Sequence, residues 1–387
     1  MIKLLKGCFG LVEAPRLWWK KLERVLVEAG CVPVPSAKGV FGIYENGKIT
    51  GVVAVYVDDG LWAGAGAEYD RVRAKIRAAL NIKTECSGCF KFLGRVVTQH
   101  ADYSSVVDQK QYVLDIEPIH IPKQRRANPK AVATPAEVTK YKSLVAQLAW
   151  PARCTLPGLA YDVSDLQQRS CELTIHQMTV ANAALKFARQ LVMDGACLVF
   201  RAVHGKWGVV ACHDASFCRQ PRGGSQQGYL LMITGSDMKS GQVMATTEWG
   251  SSKIHRVVKS TLAAEAASAS YAFDRSAFLR VFLDQLLRPQ ARPWVERLRA
   301  VPGRLLTDCK SLRDMCRKEG TLPTERRVAL DVEDLREGLE RQNTSMQWVT
   351  TDRMAADALT KRLKNQKVLD DLCRRGEYHW FVKASTT

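Results

Sequence analysis

Length and composition indicate a globular protein of two to three domains. The chain has 387 residues, of which 46% are hydrophobic and 25% charged, and these ordinary values exclude bulk disorder, collagen and a membrane bundle. Lysine and arginine total 57 against 39 acidic residues, a formal net charge of +18. Such an excess favours a polyanionic partner, nucleic acid first, over an inert basic surface or an anionic membrane.

Residue usage predicts an intracellular protein, cytoplasmic or nuclear, with no membrane association. The 12 cysteines follow no repeating spacing, as in proteins of a reducing compartment. The one close pair, Cys86 and Cys89, has no second such pair near it, which favours a turn over a zinc site. The sequence contains no run of 18 apolar residues and opens with too short an apolar stretch for a secretory leader,.

The first hundred residues predict an α+β region. An amphipathic helix is expected over residues 15–30, beginning at a proline and ending at a glycine,. Asn46-Gly47 joins two β-prone runs into a hairpin, and Asp58-Asp59-Gly60 marks a second tight hairpin,. A helix over residues 68–80 and a strand over residues 92–97 complete the region.

The middle of the chain predicts a linker followed by a helical layer. Residues 118–135 contain four prolines and a basic cluster, which is typical of a linker or extended arm. Three helical patterns follow over residues 136–193. We therefore expect domain boundaries that divide the chain into residues 1–117, 118–198 and 199–387.

From residue 199 the predicted order is β-β-β-α-β-α-α-β-α. The strands are expected at residues 207–212, 228–233, 242–247, 305–307 and 345–350. The helices are expected at residues 260–287, 310–318, 324–341 and 354–361,.

Four single acids fall where these elements end at one edge of the sheet. Asp214 and Asp308 follow predicted strands and are expected at the ends of neighbouring central strands,, while Glu265 and Asp357 lie among small residues. For any one of these acids taken alone, capping a helix or ending a strand is the commoner role. Four carboxylates together cannot all stay ionised without divalent metal, and two such ions perform in-line phosphodiester cleavage.

The same segments resemble the ribonuclease H domain of copia-type LTR retrotransposon Pol polyproteins. The resemblance runs through residues 212–217, 224–229, 260–265, 306–312 and 356–361. It implies a mixed five-stranded sheet with flanking helices, and Asp214, Glu265, Asp308 and Asp357 holding two Mg²⁺ ions, with Mn²⁺ as substitute. The implied reaction is cleavage of the RNA strand of an RNA/DNA hybrid. One departure is the absence, over residues 324–331, of a histidine that many relatives carry.

The first half resembles the reverse transcriptase of the same polyproteins. Residues 10–18 are similar to the motif that lines the nucleotide site, and Tyr56-Val57-Asp58-Asp59 is similar to the palm hairpin, which implies Asp58 and Asp59 as catalytic acids; the alternative is a plain Asp-Gly turn. Residues 92–94 resemble the primer grip, and residues 141–145 and 156–161 the connection.

The palm is expected to be truncated. The sequence begins nine residues before Gly10 and so lacks the strand that supplies a further metal-binding aspartate in the family, and Glu13 stands where relatives usually carry glutamine. Because phosphoryl transfer depends on positioning and metal charge, we expect no reverse transcription by this chain alone.

Basic residues flank both regions and are expected to bind nucleic acid, although such runs are as often solvated faces. They are Arg16, Lys253, Arg256, Lys259, Lys361 and Arg362, with Lys364 and Lys367 beyond them. The sequence thus predicts a ribonuclease H joined to a reverse transcriptase remnant. The alternative is an inactive remnant that binds nucleic acid, and a longer Pol polypeptide or a second copy remains open as a partner.

Overall fold

The computed structural model describes residues 10–169, 173–318, 322–363 and 365–381. The chain divides into two compact units, the first formed by Met1–Ser87 with Leu279–Ala300 and the second by Gly88–Phe278 with Val301–Thr387. The predicted boundaries after residues 117 and 198 stay predictions. No helix in the described ranges is both long enough and apolar enough to cross a bilayer.

The first unit contains a four-stranded antiparallel sheet and two helices that pack together. In chain order the elements of its first segment are α1 (Ala14–Ala29), β1 (Val32–Pro33), β2 (Val40–Glu45), β3 (Lys48–Tyr56), β4 (Asp59–Gly64) and α2 (Ala67–Ala79). The predicted helix ends as expected, because Gly30 has a φ of 117° that suits a residue without a Cβ atom,. Leu26, Phe41 and Val72 are buried in the shared core.

The two hairpins of this sheet turn differently. Asn46 and Gly47 have φ values of 51° and 75°, the pattern of the type I′ turn that the sequence predicts. In the second hairpin Tyr56 pairs with Asp59, so the turn residues are Val57 and Asp58, two positions before the Asp59-Gly60 signal. Val57 opens that turn with a φ of 58°, because the register of β3 on β4 draws Asp59 into the strand.

The second unit begins with a separate antiparallel sheet. Its strands are β5 (Cys89–Phe92), β6 (Arg95–Gln99), β7 (Ser105–Asp108) and β8 (Leu198–Phe200). The prediction of a single strand over residues 92–97 is wrong. Leu93 and Gly94 have φ values of 46° and 71°, so the chain reverses there and forms a hairpin.

A helical layer follows. Its helices are α3 (Lys110–Asp115), α4 (Lys123–Arg126), α5 (Pro135–Cys154), α6 (Ala160–Gln168) and α7 (Ile175–Met193). The three long helices α5, α6 and α7 confirm the three helical patterns predicted over residues 136–193, whereas α3 and α4 were not predicted, and α4 lies within the predicted linker. α5 begins with a capping box in which the Thr134 hydroxyl accepts from the Glu137 amide at 3.3 Å, and the Glu137 carboxylate accepts from the Thr134 amide at 2.8 Å,. Leu148 and Leu185 are buried in the core of this layer.

The last part of the second unit is a mixed five-stranded sheet in the order β11-β10-β9-β12-β13. Its strands are β9 (Trp207–Gln220), β10 (Gly224–Gly235), β11 (Ala245–Lys253), β12 (Gly303–Thr307) and β13 (Thr344–Trp348). The first three pair antiparallel, and β12 is parallel to both β9 and β13. The expected fold class, α+β with a mixed five-stranded sheet and flanking helices, is confirmed.

The remaining helices depart from prediction in three places. They are α8 (Thr261–Leu287), α9 (Trp294–Ala300), α10 (Lys310–Arg317), α11 (Arg326–Arg341) and α12 (Lys367–Arg375). The sequence patterns did not predict α9 and α12. The predicted helix over residues 354–361 is a 3₁₀ turn, Ala355–Leu359, in which the Asp357 amide donates to the Met354 carbonyl oxygen at 3.2 Å.

Candidate metal centre

Two of the predicted acids come from neighbouring central strands. Asp308 directly follows β12, as expected for a strand end. Asp214 instead lies in the middle of β9, which corrects the prediction: β12 pairs with β9 only as far as Leu306 opposite Cys212, while β10 continues the ladder past Gly228 opposite Asp214. The acid therefore lies where β9 loses one of its two neighbours.

Three of the four predicted acids converge. Asp214, Glu265 and Asp308 each offer a carboxylate oxygen, and these oxygens lie within 4.8 Å of one another. Glu265 lies near the start of α8, where the buried small residues Ala263, Ala264 and Ala266 leave room for close packing. The spacing matches oxygens that share a hard divalent cation, whose ligands lie about 2.0–2.6 Å from the ion.

Asp357, the fourth acid, flanks this group and is neutralised by a lysine. It lies in the 3₁₀ turn, and its carboxylate forms an ion pair with Lys361. Its negative charge contributes to raising the pKa of both Asp214 and Asp308, so it belongs to the same electrostatic environment as the three converging acids.

Burial makes the converging acids reluctant to ionise together. It raises the pKa of Asp214 to about 7, with further increases from the charges of Asp308 and Asp357 and an opposing hydrogen bond from Thr360. Burial, then the neighbouring carboxylates, also raise the pKa of Glu265 well above its ordinary value. A cation among these groups would relieve both the desolvation and the repulsion.

Hydroxyl groups that the sequence analysis did not identify hold the acids in place. The Thr360 hydroxyl donates to the Asp214 carboxylate, and the Thr351 hydroxyl donates to Asp308 Oδ2 at 2.8 Å. The Ser268 hydroxyl donates to the Asp214 carbonyl oxygen at 2.8 Å. The sequence could have indicated two of these hydroxyl residues, because Thr360 and Ser268 each lie three residues after a predicted acid.

Gly228 permits the approach of the 3₁₀ turn to the sheet. It lies opposite Asp214 on β10, and a Cβ atom at this position would lie 2.6 Å from the Leu359 Cβ and 2.9 Å from the Thr360 Cγ2. Any larger residue would push away the segment that carries Thr360 and Asp357.

His213 is a further residue at the centre that sequence reasoning missed. Its side chain is completely buried, and its Nδ1 lies 3.7 Å from Glu265 Oε2. Among the described residues, neither ring nitrogen nor Glu265 Oε2 has a hydrogen-bond partner. Burial lowers the pKa of His213 to about 3, so the imidazole is neutral at physiological pH.

Two of the predicted nucleic-acid-binding arginines are engaged within the protein, as Lys361 is. The Arg256 guanidinium donates to both carboxylate oxygens of Asp331 on α11, at 2.9 Å to Oδ1. Arg362 Nε lies 3.5 Å from Asp162 Oδ1, and the Arg362 guanidinium lies 5.5 Å from the centre of the Phe187 ring. These contacts anchor the two residues.

The other predicted basic residues have more open surroundings. Lys253 ends β11 and is partly exposed, while Lys259 before α8 and Arg16 on the first turn of α1 are exposed. Lys364 lies outside the described residues. A nucleic-acid role for these side chains stays a prediction.

The two palm acids lie at the tip of the β3–β4 hairpin. Asp58 and Asp59 are both exposed, and the Trp18 indole N–H donates to the Val57 carbonyl oxygen at 2.6 Å. The α1 side chain thereby fixes the tip that carries the acids.

Comparison with known proteins links both halves to retrotransposons. Residues 1–137 match the family described as reverse transcriptase (RNA-dependent DNA polymerase). The putative transposon Ty5-1 protein YCL074W of Saccharomyces cerevisiae is 24% identical over 270 residues, which cover 66% of this chain and 83% of that protein. The retrovirus-related Pol polyprotein from transposon RE2 of Arabidopsis thaliana is 27% identical over 186 residues, 43% of this chain but 12% of that polyprotein.

A solved structure is also similar at low identity. The foamy viral protease-reverse transcriptase in complex with RNA/DNA hybrid is 9% identical, with a TM-score of 0.45, and the match covers 89% of this chain and 39% of that one. The family match and the transposon relatives confirm the resemblance that the motifs predict. The chain is therefore similar to retrotransposon Pol proteins, and its residues 1–137 to reverse transcriptases.

Proposed function

We propose that this protein cleaves the RNA strand of RNA/DNA hybrids, with Asp214, Glu265, Asp308 and Asp357 as the metal-binding acids. The observation that carries the proposal is the convergence of carboxylate oxygens from three acids, each buried or partly buried, within 4.8 Å. Structural roles such as capping do not explain it, because burying like charges together is costly without a cation.

The donor set fits hard divalent cations, Mg²⁺ or Mn²⁺. All the donors are carboxylate oxygens, the ligands that these ions prefer. Glu265 Oε2 is buried, and the described part of the chain offers it no hydrogen-bond partner, so a bound cation would satisfy an oxygen that is otherwise unpaired. When bound, such ions supply Lewis-acid activation of the attacking water and stabilisation of the leaving oxygen.

The protein's own groups orient the acids for this role. The Ala215 amide donates to Glu265 Oε1 at 3.3 Å. The Thr360 hydroxyl donates to one oxygen of Asp214, and the Thr351 hydroxyl donates to one oxygen of Asp308. Each of these three acids therefore keeps an oxygen, or a lone pair on one, for a cation. Ligand carboxylates held by outer hydrogen bonds bind metal in a fixed geometry.

For the palm we propose a nucleic-acid-binding role. Asp58 and Asp59 correspond in this proposal to the catalytic acids that the resemblance to reverse transcriptases implies. The exposed cation Arg16 of the palm lies on α1, the helix whose Trp18 fixes the hairpin tip. Primer extension in Mg²⁺ or Mn²⁺ tests whether the palm also polymerises, and we expect no incorporation of nucleotides by this chain alone. Nucleotide incorporation that disappears in Asp58→Asn would show instead that the chain polymerises.

The nuclease proposal is tested with an end-labelled RNA/DNA hybrid in Mg²⁺ and in Mn²⁺, beside single-stranded RNA. We expect cleavage of the hybrid's RNA strand alone, lost in Asp308→Asn and retained in Asp352→Asn, a matched change at an acid whose side chain is 71% exposed. Folded protein that binds the hybrid in a salt-sensitive way without cleaving it would establish the alternative, an inactive remnant that binds nucleic acid.

A further inference from the structure

The ammonium group of Lys361 lies inside the acidic cluster. It forms an ion pair with Asp357, and its side chain is 32% exposed. Burial lowers the pKa of Lys361, but the hydrogen bond to Asp357 and the charges of Asp214 and Asp308 outweigh it and raise the pKa. The lysine therefore stays positively charged, and it lies at the place where the proposed function puts metal.

The four acids divide unequally around this charge. Asp357 has its carboxylate occupied by Lys361. Asp214, Glu265 and Asp308 converge on one another and interact with the lysine through its charge. A divalent cation and an ammonium group a few ångströms apart repel each other strongly, because the interaction of close charges falls only as the inverse of distance. A cation that uses Asp357 must therefore displace Lys361.

The side chains on both sides of Lys361 are held by contacts of their own. Thr360 is held by its hydrogen bond to Asp214, and Arg362 by Asp162 and the Phe187 ring. The lysine side chain has four flexible carbons that can carry the ammonium group away without a backbone change.

We propose that Lys361 is a built-in exchangeable cation, which occupies the Asp357 side of the centre until a metal ion displaces it. This inference rests on the proposed metal-dependent function. It requires two unequal metal sites: a tight one at Asp214, Glu265 and Asp308, and a weak one that includes Asp357 and opens only when the lysine leaves.

Calorimetric titration of the full chain with Mn²⁺ tests the inequality. We expect two classes of binding in the wild type. Lys361→Met keeps the length of the side chain without its charge, and should tighten the weak class at least tenfold while changing the tight class less than threefold. Lys367→Met is the matched control, because Lys367 is an exposed lysine of the same basic segment; its removal changes the net charge equally without touching Asp357.

A second measurement observes the displacement directly. Lysines are labelled by reductive ¹³C-methylation, which keeps their charge, and the Lys361 resonance is assigned by its loss in Lys361→Arg. During titration with Mg²⁺ this resonance should move towards the values of exposed lysines in parallel with the weak binding step, while the Lys367 resonance stays in place.

The outcomes separate this inference from the proposed function. Two binding steps with an unmoved Lys361 resonance, or equal effects of Lys361→Met and Lys367→Met on the weak step, overturn the exchange and leave the nuclease proposal standing. No metal binding in the wild type overturns both. Binding that persists unchanged in Asp308→Asn overturns the assignment of the site itself.

Discussion

Asp162 is a buried acid outside the metal centre whose charge should destabilise the fold at neutral pH. It lies on α6, is 8% exposed, and has Arg362 Nε at 3.5 Å from Oδ1. Burial raises its pKa from 3.8 to about 6, because the attraction of Arg362 compensates only part of the lost hydration. Replacing it by asparagine keeps the shape and removes the charge.

The sign and size of the effect follow from linkage. The pKa of Asp162 is higher in the folded than in the unfolded state, so its ionisation destabilises the fold. This loss of stability is absent below about pH 4, grows between about pH 4 and pH 6, and is complete above about pH 6. At about 1.4 kcal/mol for each pH unit, the difference amounts to about 3 kcal/mol. Arg362 loses a partner in the variant, but a half-exposed guanidinium is rehydrated at little cost.

Urea unfolding of the wild type and Asp162→Asn at pH 7.5 and near pH 4 provides the assay. The variant should be more stable by up to about 3 kcal/mol at pH 7.5 and equal to the wild type near pH 4. Arg362→Met should have the opposite effect at pH 7.5, because the carboxylate loses its only compensating charge in the described surroundings. A variant that is less stable at pH 7.5, or a gain that does not change with pH, would refute the reasoning.

Three further substitutions test local features. Val57→Gly should stabilise the first unit by up to about 1 kcal/mol in urea unfolding, since a 66% exposed valine at a φ of 58° is strained and packs little,; a loss of stability would contradict this. Gly228→Ala should cost about 1–3 kcal/mol and weaken Mn²⁺ binding, because its Cβ would meet Leu359; unchanged melting and binding would show that the turn yields freely. His213→Leu should raise the melting temperature of the metal-free protein by removing two buried nitrogens that lack partners among the described residues,; a lower melting temperature would mean that one nitrogen is hydrogen-bonded in solution, for instance to a buried water.

Local signals predicted most elements, because the residues that set them act within a few positions. Gly30 ends α1 through its own backbone freedom, and Asn46-Gly47 sets its turn in the same way. The long α8 begins in a run rich in alanine and contains neither proline nor glycine. The order of strands and helices around the five-stranded sheet could be predicted for the same reason.

The misplaced features depend on partners that are distant in sequence. The second half of β9 contains the polar residues Ser216 and Gln220, both buried, and it is a strand only because β10 pairs with it. The same limitation applies to the prediction of nucleic-acid-binding residues. Nothing near Arg256 in the sequence indicates that its guanidinium is paired with the carboxylate of Asp331. A count of basic residues therefore predicts a polyanionic partner but not which side chains are free to meet it.

The dispersal of the acids along the chain has a consequence for folding. Asp214 and Asp357 are separated by about 140 residues, which at ribosomal rates of about 5–20 residues per second takes about 7–30 s to synthesise. Since β12 and β13 join the sheet only after α8 and α11 are made, the nascent β9–β11 hairpins present Asp214 without its companions. On the proposed assignment, the three converging acids meet only after β12 is made, so metal cannot nucleate this domain as zinc nucleates a small finger.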